Sequence, residues 1–134
     1  MTPASRLSPT EPPRVSILRE GPYLIASVHT ALDDSELMRF QRELVERIRR
    51  DRATGVVIDV AALDVVDSFG SRTLRNLAAM AQLRGAHTVI VGISPELAIA
   101  MVQLGMVLDP VRTALGLDEG LAVLDELTGR GGRR

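Results

Sequence analysis

The sequence predicts an α/β fold. The expected sheet is mixed but mostly parallel, with about five strands, an N-terminal antiparallel hairpin and a cover of about four helices. Three observations carry this expectation. Strand-like and helix-like segments alternate along the chain, as in βαβ units, whose right-handed crossovers lay helices on the sheet. The runs Val56–Val60 and His87–Val91 are rich in β-branched residues, and the first is almost unbroken in apolar ones, which suits a strand buried on both faces. Finally, Glu20-Gly21-Pro22 separates two strand-like runs, the mark of a hairpin.

The elements follow in order. Val15–Arg19 and Tyr23–Val28 are the hairpin strands. Asp33 and Glu36 have capping-box spacing, so a helix starts there, with Leu37, Phe40, Leu44 and Ile48 on its inner face. Glu43–Arg47 and Glu46–Arg50 are expected to pair across its solvent side. Gly55 restarts the chain into the strand Val56–Val60. A second helix is expected from about Ser68 to Arg84, with Thr73, Leu74, Leu77, Ala78 and Ala81 on one face and Gly85 as its stop. After the strand His87–Val91, Ser94-Pro95-Glu96 reads as a helix start: a cap, proline at the first helical position, then an acid. That helix is expected to end at Gly105. Val111–Thr113 suits a short edge strand and Asp118–Leu127 a last helix with Leu121 and Leu124 inward. Residues 1–13, rich in Pro, Ser and Thr, are expected to form a disordered N-terminal tail. The folded domain then spans 14–128, and the glycine- and arginine-rich 129–134 is expected to form a flexible C-terminal tail.

Composition narrows the function. The 134 residues are 46% hydrophobic and 25% charged, as in an ordinary globular domain. Lys and Arg number 16 against 17 Asp and Glu, which gives no electrostatic case for nucleic acid. Aromatics are only 2%, so the core is aliphatic and no base-stacking platform is present. Cysteine is absent, which removes disulfides, thiolate metal sites and cysteine nucleophiles. The N-terminus has no apolar core of a signal peptide and no run reaches transmembrane length, so a cytoplasmic location and no membrane partner are expected.

Catalytic ingredients are thin. His29 and His87 have no second histidine or carboxylate at metal-ligand spacing, so no metal and no cofactor are expected. Gly92-Ile93-Ser94-Pro95 resembles half of a nucleophile elbow but lacks the second glycine. Gly70 has no companions at phosphate-loop or dinucleotide spacing. What stands out is Asp64-Val65-Val66-Asp67-Ser68-Phe69-Gly70, between a buried strand and a helix. Asp67 or Ser68 can be a plain helix cap. The position also follows the C-terminal end of a central strand, where open α/β sheets place functional loops. A helix start tolerates phosphate as well, because it offers free N–H groups and partial positive charge. Cap and phosphate acceptor both fit the residues.

Further residues settle into a familiar pattern. They are Val56-Val57-Ile58-Asp59-Val60, then Asp64–Phe69, then Gly85-Ala86-His87-Thr88-Val89-Ile90-Val91-Gly92-Ile93. Pro95-Glu96-Leu97-Ala98, Leu104-Gly105-Met106 and Thr113-Ala114-Leu115 leading to Gly120-Leu121 follow in order. Over residues 14–128 the chain resembles STAS domains, the SpoIIAA-like fold of anti-sigma-factor antagonists, and within them the single-domain stressosome scaffolds of the RsbS type.

That resemblance implies a non-catalytic regulatory scaffold of a stress-signalling complex. It would sequester a serine-protein kinase of the histidine-kinase-like ATPase fold and release it once Ser68 is phosphorylated. A PP2C-type phosphatase would reverse the modification. An RsbR-type, STAS-containing co-antagonist would join it in a homo-oligomer or large hetero-assembly. Asp64, Asp67, Ser68, Phe69 and Gly70 would form the partner-binding loop. The alternative is a free-standing anti-anti-sigma factor that binds an anti-sigma kinase directly; a small α/β enzyme is the rival from another class. Phe69-Gly70-Ser71 is smaller than the apolar residues expected there in the scaffold branch, and Ala100 stands where relatives can carry threonine. One feature points to assembly independently. Glu96–Leu104 is apolar nearly all round, from Leu97 on with only Gln103 breaking it, which means either deep burial or a patch covered by another subunit.

Overall fold

A computed structural model of the chain describes residues 14–63, 86–103 and 112–129, together with Asn76. The hairpin forms as expected. Strands β1 (Val15–Glu20) and β2 (Tyr23–Val28) pair antiparallel, with Glu20 opposite Tyr23 and Val15 opposite Val28. Helix α1 (Asp34–Asp51) starts at the expected capping box. The Glu36 amide donates to Asp33 Oδ1 at 2.8 Å, and the Asp33 amide donates to Glu36 Oε1 at 2.9 Å. Phe40 and Leu44 are buried, and Leu37 and Ile48 pack against the same cluster.

The remaining strands are β3 (Gly55–Asp59), β4 (His87–Val91) and β5 (Arg112–Ala114). Helix α2 (Pro95–Gln103) follows β4, and α3 (Leu117–Leu127) follows β5. The sheet order is β1-β2-β3-β4-β5, with every pair after the hairpin parallel. The apolar run of β3 has the expected cause. Val56 and Ile58 face a cluster with Phe40 and Leu44 of α1, while Val57 faces a second cluster with Val89, Val91 and Leu124 of α3. Each such fully buried side chain contributes about 1.5–3 kcal/mol of hydrophobic stabilisation. On the second face, α3 comes in close at Gly120, where an added Cβ would lie 2.6 Å from Val91 Cγ1. The far end of α3 is pinned to β2 by Tyr23, whose hydroxyl donates to Asp125 Oδ1 at 2.6 Å and lies 3.0 Å from Thr128 Oγ1.

Several expectations shift. β3 spans Gly55–Asp59, with Val60 just beyond it, and β5 runs on to Ala114, while Val111, expected at its start, lies outside the described residues. The end of α2 at Gly105 and the helix Ser68–Arg84 fall outside the described residues, apart from Asn76, which is helical. The expected pairs Glu43–Arg47 and Glu46–Arg50 do not form. Arg47 and Arg50 both turn to Asp51, at 3.4 and 3.8 Å. The reason for Arg47 is tertiary: its Nη1 donates to the Ile17 carbonyl of β1 at 3.3 Å.

Candidate functional site

Because β2 to β5 are parallel, their C-terminal ends emerge on one edge of the sheet. Ser27, Asp59, Val91 and Ala114 stand in register there. The segments that follow each strand, including Val60–Leu63, Gly92–Ser94 and Leu115–Gly116, therefore gather on the same side, where α/β sheets carry their sites.

The exit from β3 is held at several points. Val60 N donates to Val91 O at 3.0 Å, bridging to the end of β4. Asp59 Oδ1 accepts from Ala61 N at 2.9 Å, an Asx-type turn. Leu63 N donates to Val60 O at 3.0 Å, and the Leu63 side chain is buried. Ala61 packs on Gly92, which has φ +94; a Cβ at Gly92 would lie 2.6 Å from Ala61 N. Gly92 is thus a close-approach glycine that backs the β3 exit, which explains the half-elbow pattern without a nucleophile. Asp64, Asp67, Ser68, Phe69 and Gly70 lie outside the described residues. The structure describes their point of departure: the chain leaves Leu63 on the C-terminal edge, beside the β4–α2 connection.

That connection starts α2 as expected. Ser94 O accepts from Ala98 N at 2.8 Å, which puts Ser94 at the cap and Pro95 at the first helical position. The apolar helix exposes part of its surface: Ile99 is 59% and Val102 76% exposed. The side chains of Leu97, Ala100 and Met101 lie outside the described residues. Leu115, 76% exposed, adds an apolar residue on the same edge, and its amide donates to Glu119 Oε1 at 3.0 Å. Exposed Glu96, Asp118 and Glu119 make the surroundings acidic.

Other chemistry is sparse among the described residues. His87 is exposed at the start of β4, and the His29 amide donates to Arg14 O at 2.8 Å. No group of three His, Asp or Glu comes together for a metal among the described residues. A groove of about 250 Å³ between β1 and α1 is lined by Arg14, Val15, Leu32, Glu36, Arg39, Phe40 and Glu43. It falls below the ~300–1,000 Å³ of ordinary small-molecule sites, and its Arg14 and Glu36 are paired at 3.0 Å. At the start of α1, Asp33 holds its carboxyl below the ordinary value of 3.8, chiefly through the hydrogen bond from the Glu36 amide. No helix among the described residues is long and apolar enough to cross a membrane.

Residues 14–119 match the STAS domain family. The chain belongs to the STAS family. A serine-to-glutamate variant of RsbS from Moorella thermoacetica superposes with a TM-score of 0.70 at 37% identity, covering 87% of this chain and 99% of that one. A chain of the stressosome, described as a signal integration and transduction hub, gives 0.68 at 33% identity over 84% of this chain and 98% of the other. The RsbT co-antagonist protein RsbRA of Bacillus subtilis is 29% identical over 99 residues. That match takes in 74% of this chain but only 36% of RsbRA, so the STAS domain is the shared part. SpoIIAA, an anti-sigma-factor antagonist, shares the fold at a TM-score of 0.53 and 14% identity.

Proposed function

We propose that this STAS domain is a non-catalytic scaffold of a stressosome-type complex in the cytoplasm. It holds a serine-protein kinase of the histidine-kinase-like ATPase fold and releases it when Ser68 is phosphorylated. The observation that carries this reading is the likeness to RsbS over 99% of that protein's chain at 37% identity. The likeness to RsbRA supports an RsbR-type co-antagonist as the assembly partner. A PP2C-type phosphatase completes the cycle.

The described geometry supports the reading in two ways. The exit of β3 is pinned by Val91, Asp59 and Gly92, so a loop leaving Leu63 starts from a fixed base. Leu115 is exposed on the same edge, and α2, which starts there, exposes Ile99 and Val102 further along, the kind of apolar surface that a protein partner covers. Phosphorylation adds about −1.5 to −2 charges. At a helix start that charge favours the helix by about 0.3–1 kcal/mol, and repulsion from Asp64 and Asp67 offsets part of it. Docking a partner over the loop is affected more strongly, because desolvating the new charge costs several kcal/mol unless a cation meets it. The modification therefore switches binding while leaving the fold in place.

The test is to incubate the protein with the kinase and ATP and to map the phosphate by mass spectrometry. Ser68 is the expected site; modification mainly at Ser71, Ser94 or a tail serine overturns the assignment. Ser68→Asp is expected to melt like wild type and to bind the kinase differently, whereas Ser68→Ala keeps the kinase bound. Light scattering with and without a co-antagonist tests the scaffold: a monomer in both samples would leave a free-standing anti-anti-sigma factor.

A further inference from the structure

β1 is an edge strand, with β2 on one side and no strand on the other among the described residues. Hydrogen-bonded and non-hydrogen-bonded pairs alternate along an antiparallel ladder. Just beyond β1, the His29 amide donates to Arg14 O at 2.8 Å, so that pair is hydrogen-bonded. Counting along the register, Ser16–Ser27, Leu18–Ile25 and Glu20–Tyr23 are the other hydrogen-bonded pairs. Val15, Ile17 and Arg19 therefore turn their N–H and C=O groups outward, to the open edge.

Such an edge is a template for another strand, and here it matches itself. Place a second copy antiparallel with Ile17 opposite Ile17. Val15 then meets Arg19, and Arg19 meets Val15, so all three outward residues of both copies are used. The same register sets Arg14 opposite Glu20 at both ends, two pairs of opposite charge, with Arg14 shared between Glu20 and its own Glu36 at 3.0 Å. Glu20 is exposed and makes no ion pair among the described residues. Sliding the register by two residues in either direction leaves one outward residue off the ladder and sets Glu20 opposite Ser16 or Arg14 opposite Leu18. The contact is two-fold and self-complementary, so it closes at a dimer.

Arg47 occupies the centre of that register. Its Nη1 donates to the Ile17 carbonyl at 3.3 Å. Its Nε lies 3.4 Å from Asp51 Oδ2, with the two side chains only 20% and 15% exposed. The carbonyl at the two-fold axis is thereby taken by a partly buried, anchored guanidinium. Next to it, Leu18 leaves 63% of its surface open on the strand. We propose that the outer edge of β1 is a strand-addition surface for a second copy of this chain, and that Arg47, fastened by Asp51, keeps it shut.

Sedimentation of the full chain tests this without reference to kinase or co-antagonist. Arg47→Met keeps the aliphatic stem and removes the guanidinium; it is expected to tighten self-association about tenfold or more, as two freed carbonyls gain strand partners. Arg19→Pro removes an outward N–H that the hairpin does not use, a substitution edge strands accept. Added to Arg47→Met, it is expected to return self-association to the wild-type level. Asp51→Asn, which leaves Arg47 in place but unfastened, is expected to shift association in the same direction by less. It also serves as the probe if Arg47→Met folds poorly. Unchanged association in both Arg47→Met and Asp51→Asn overturns the proposal, and so does association that survives Arg19→Pro. Association through any other surface is common to all the variants and cancels in these comparisons.

Discussion

Replacing Gly92 by alanine puts one methyl group where the β3 exit meets the β4–α2 connection. Two costs add. The backbone at Gly92 has φ +94, a region that L-residues avoid, at about 1–2 kcal/mol. The new Cβ would also lie 2.6 Å from Ala61 N and 2.8 Å from Ala61 Cα. These are backbone atoms, which cannot rotate away as the tip of a side chain does, and forced repacking of this kind costs typically about 1–3 kcal/mol. Gly92→Ala is therefore expected to lose about 2–5 kcal/mol, a large share of the ~5–15 kcal/mol of a typical domain. At roughly 3 °C per kcal/mol for a chain of this size, the melting temperature falls by about 6–15 °C. Urea unfolding followed by circular dichroism measures the loss. Hydrogen exchange should show where the strain is relieved, with faster exchange at Val60 and Leu63, whose amides bond to Val91 O and Val60 O. A loss below about 1 kcal/mol would refute the reasoning, because either cost alone reaches that size. So would a full loss with unchanged exchange at those two amides, since the strain would then lie elsewhere.

The other expectations are smaller in scale. Val102→Glu alters an exposed position, so stability should stay within about 0.5 kcal/mol of wild type. Light scattering with the co-antagonist should nonetheless show weaker assembly, and an unchanged particle would remove α2 from the interface. The Asp33 carboxyl is depressed below 3.8 in the folded chain, so its contribution is present above that value and is lost as pH falls through the lower, folded one. Asp33→Asn keeps a good cap, and its melts should accordingly fall less steeply than wild type as the pH is taken down below 3.8; parallel acid profiles would count against the cap as the cause.

The parts of the fold legible in the sequence are those that local pattern alone determines. The Asp33–Glu36 box requires only residues of one helical turn, and both of its hydrogen bonds are present. The two-sided burial of β3 is legible because a strand with no polar face has no other stable place. Arg47 escapes such a reading for the opposite reason. Spacing along α1 offers it Glu43, but the Ile17 carbonyl, distant in sequence, and Asp51 one turn on the other side compete more effectively in a partly buried setting. Exposed i,i+4 pairs are worth only a few tenths of a kcal/mol, so a tertiary acceptor decides the rotamer. The apolar α2 leaves burial and exposure open, since a helix without a polar stripe fits both; Ile99 and Val102 resolve it toward exposure. The Asp67-Ser68 motif is legible as a pattern. The base from which its loop departs is not, because that base depends on Ala61 meeting Gly92, a contact between two separate connections.

Open sheet edges present a particular difficulty for any domain built on a single sheet. Two open edges on one sheet would let copies add without limit, since each added strand exposes the next edge. Here the two edges differ. β5 covers three of the described residues, which offer no more than a few ladder bonds. β1 is six residues long and could template a strand, and it is here that the Arg47–Asp51 pair sits against the outward Ile17 carbonyl. An anchored cation guards the longer edge. Among the described residues, the exposed Ile99 and Val102 of α2 and Leu115 after β5 offer apolar side chains instead of open backbone. Side-chain contacts specify partner and orientation in a way that backbone ladders do not, because every strand carries the same N–H and C=O groups. An anchored cation on a strand edge therefore favours contacts made through side chains over contacts made through the backbone.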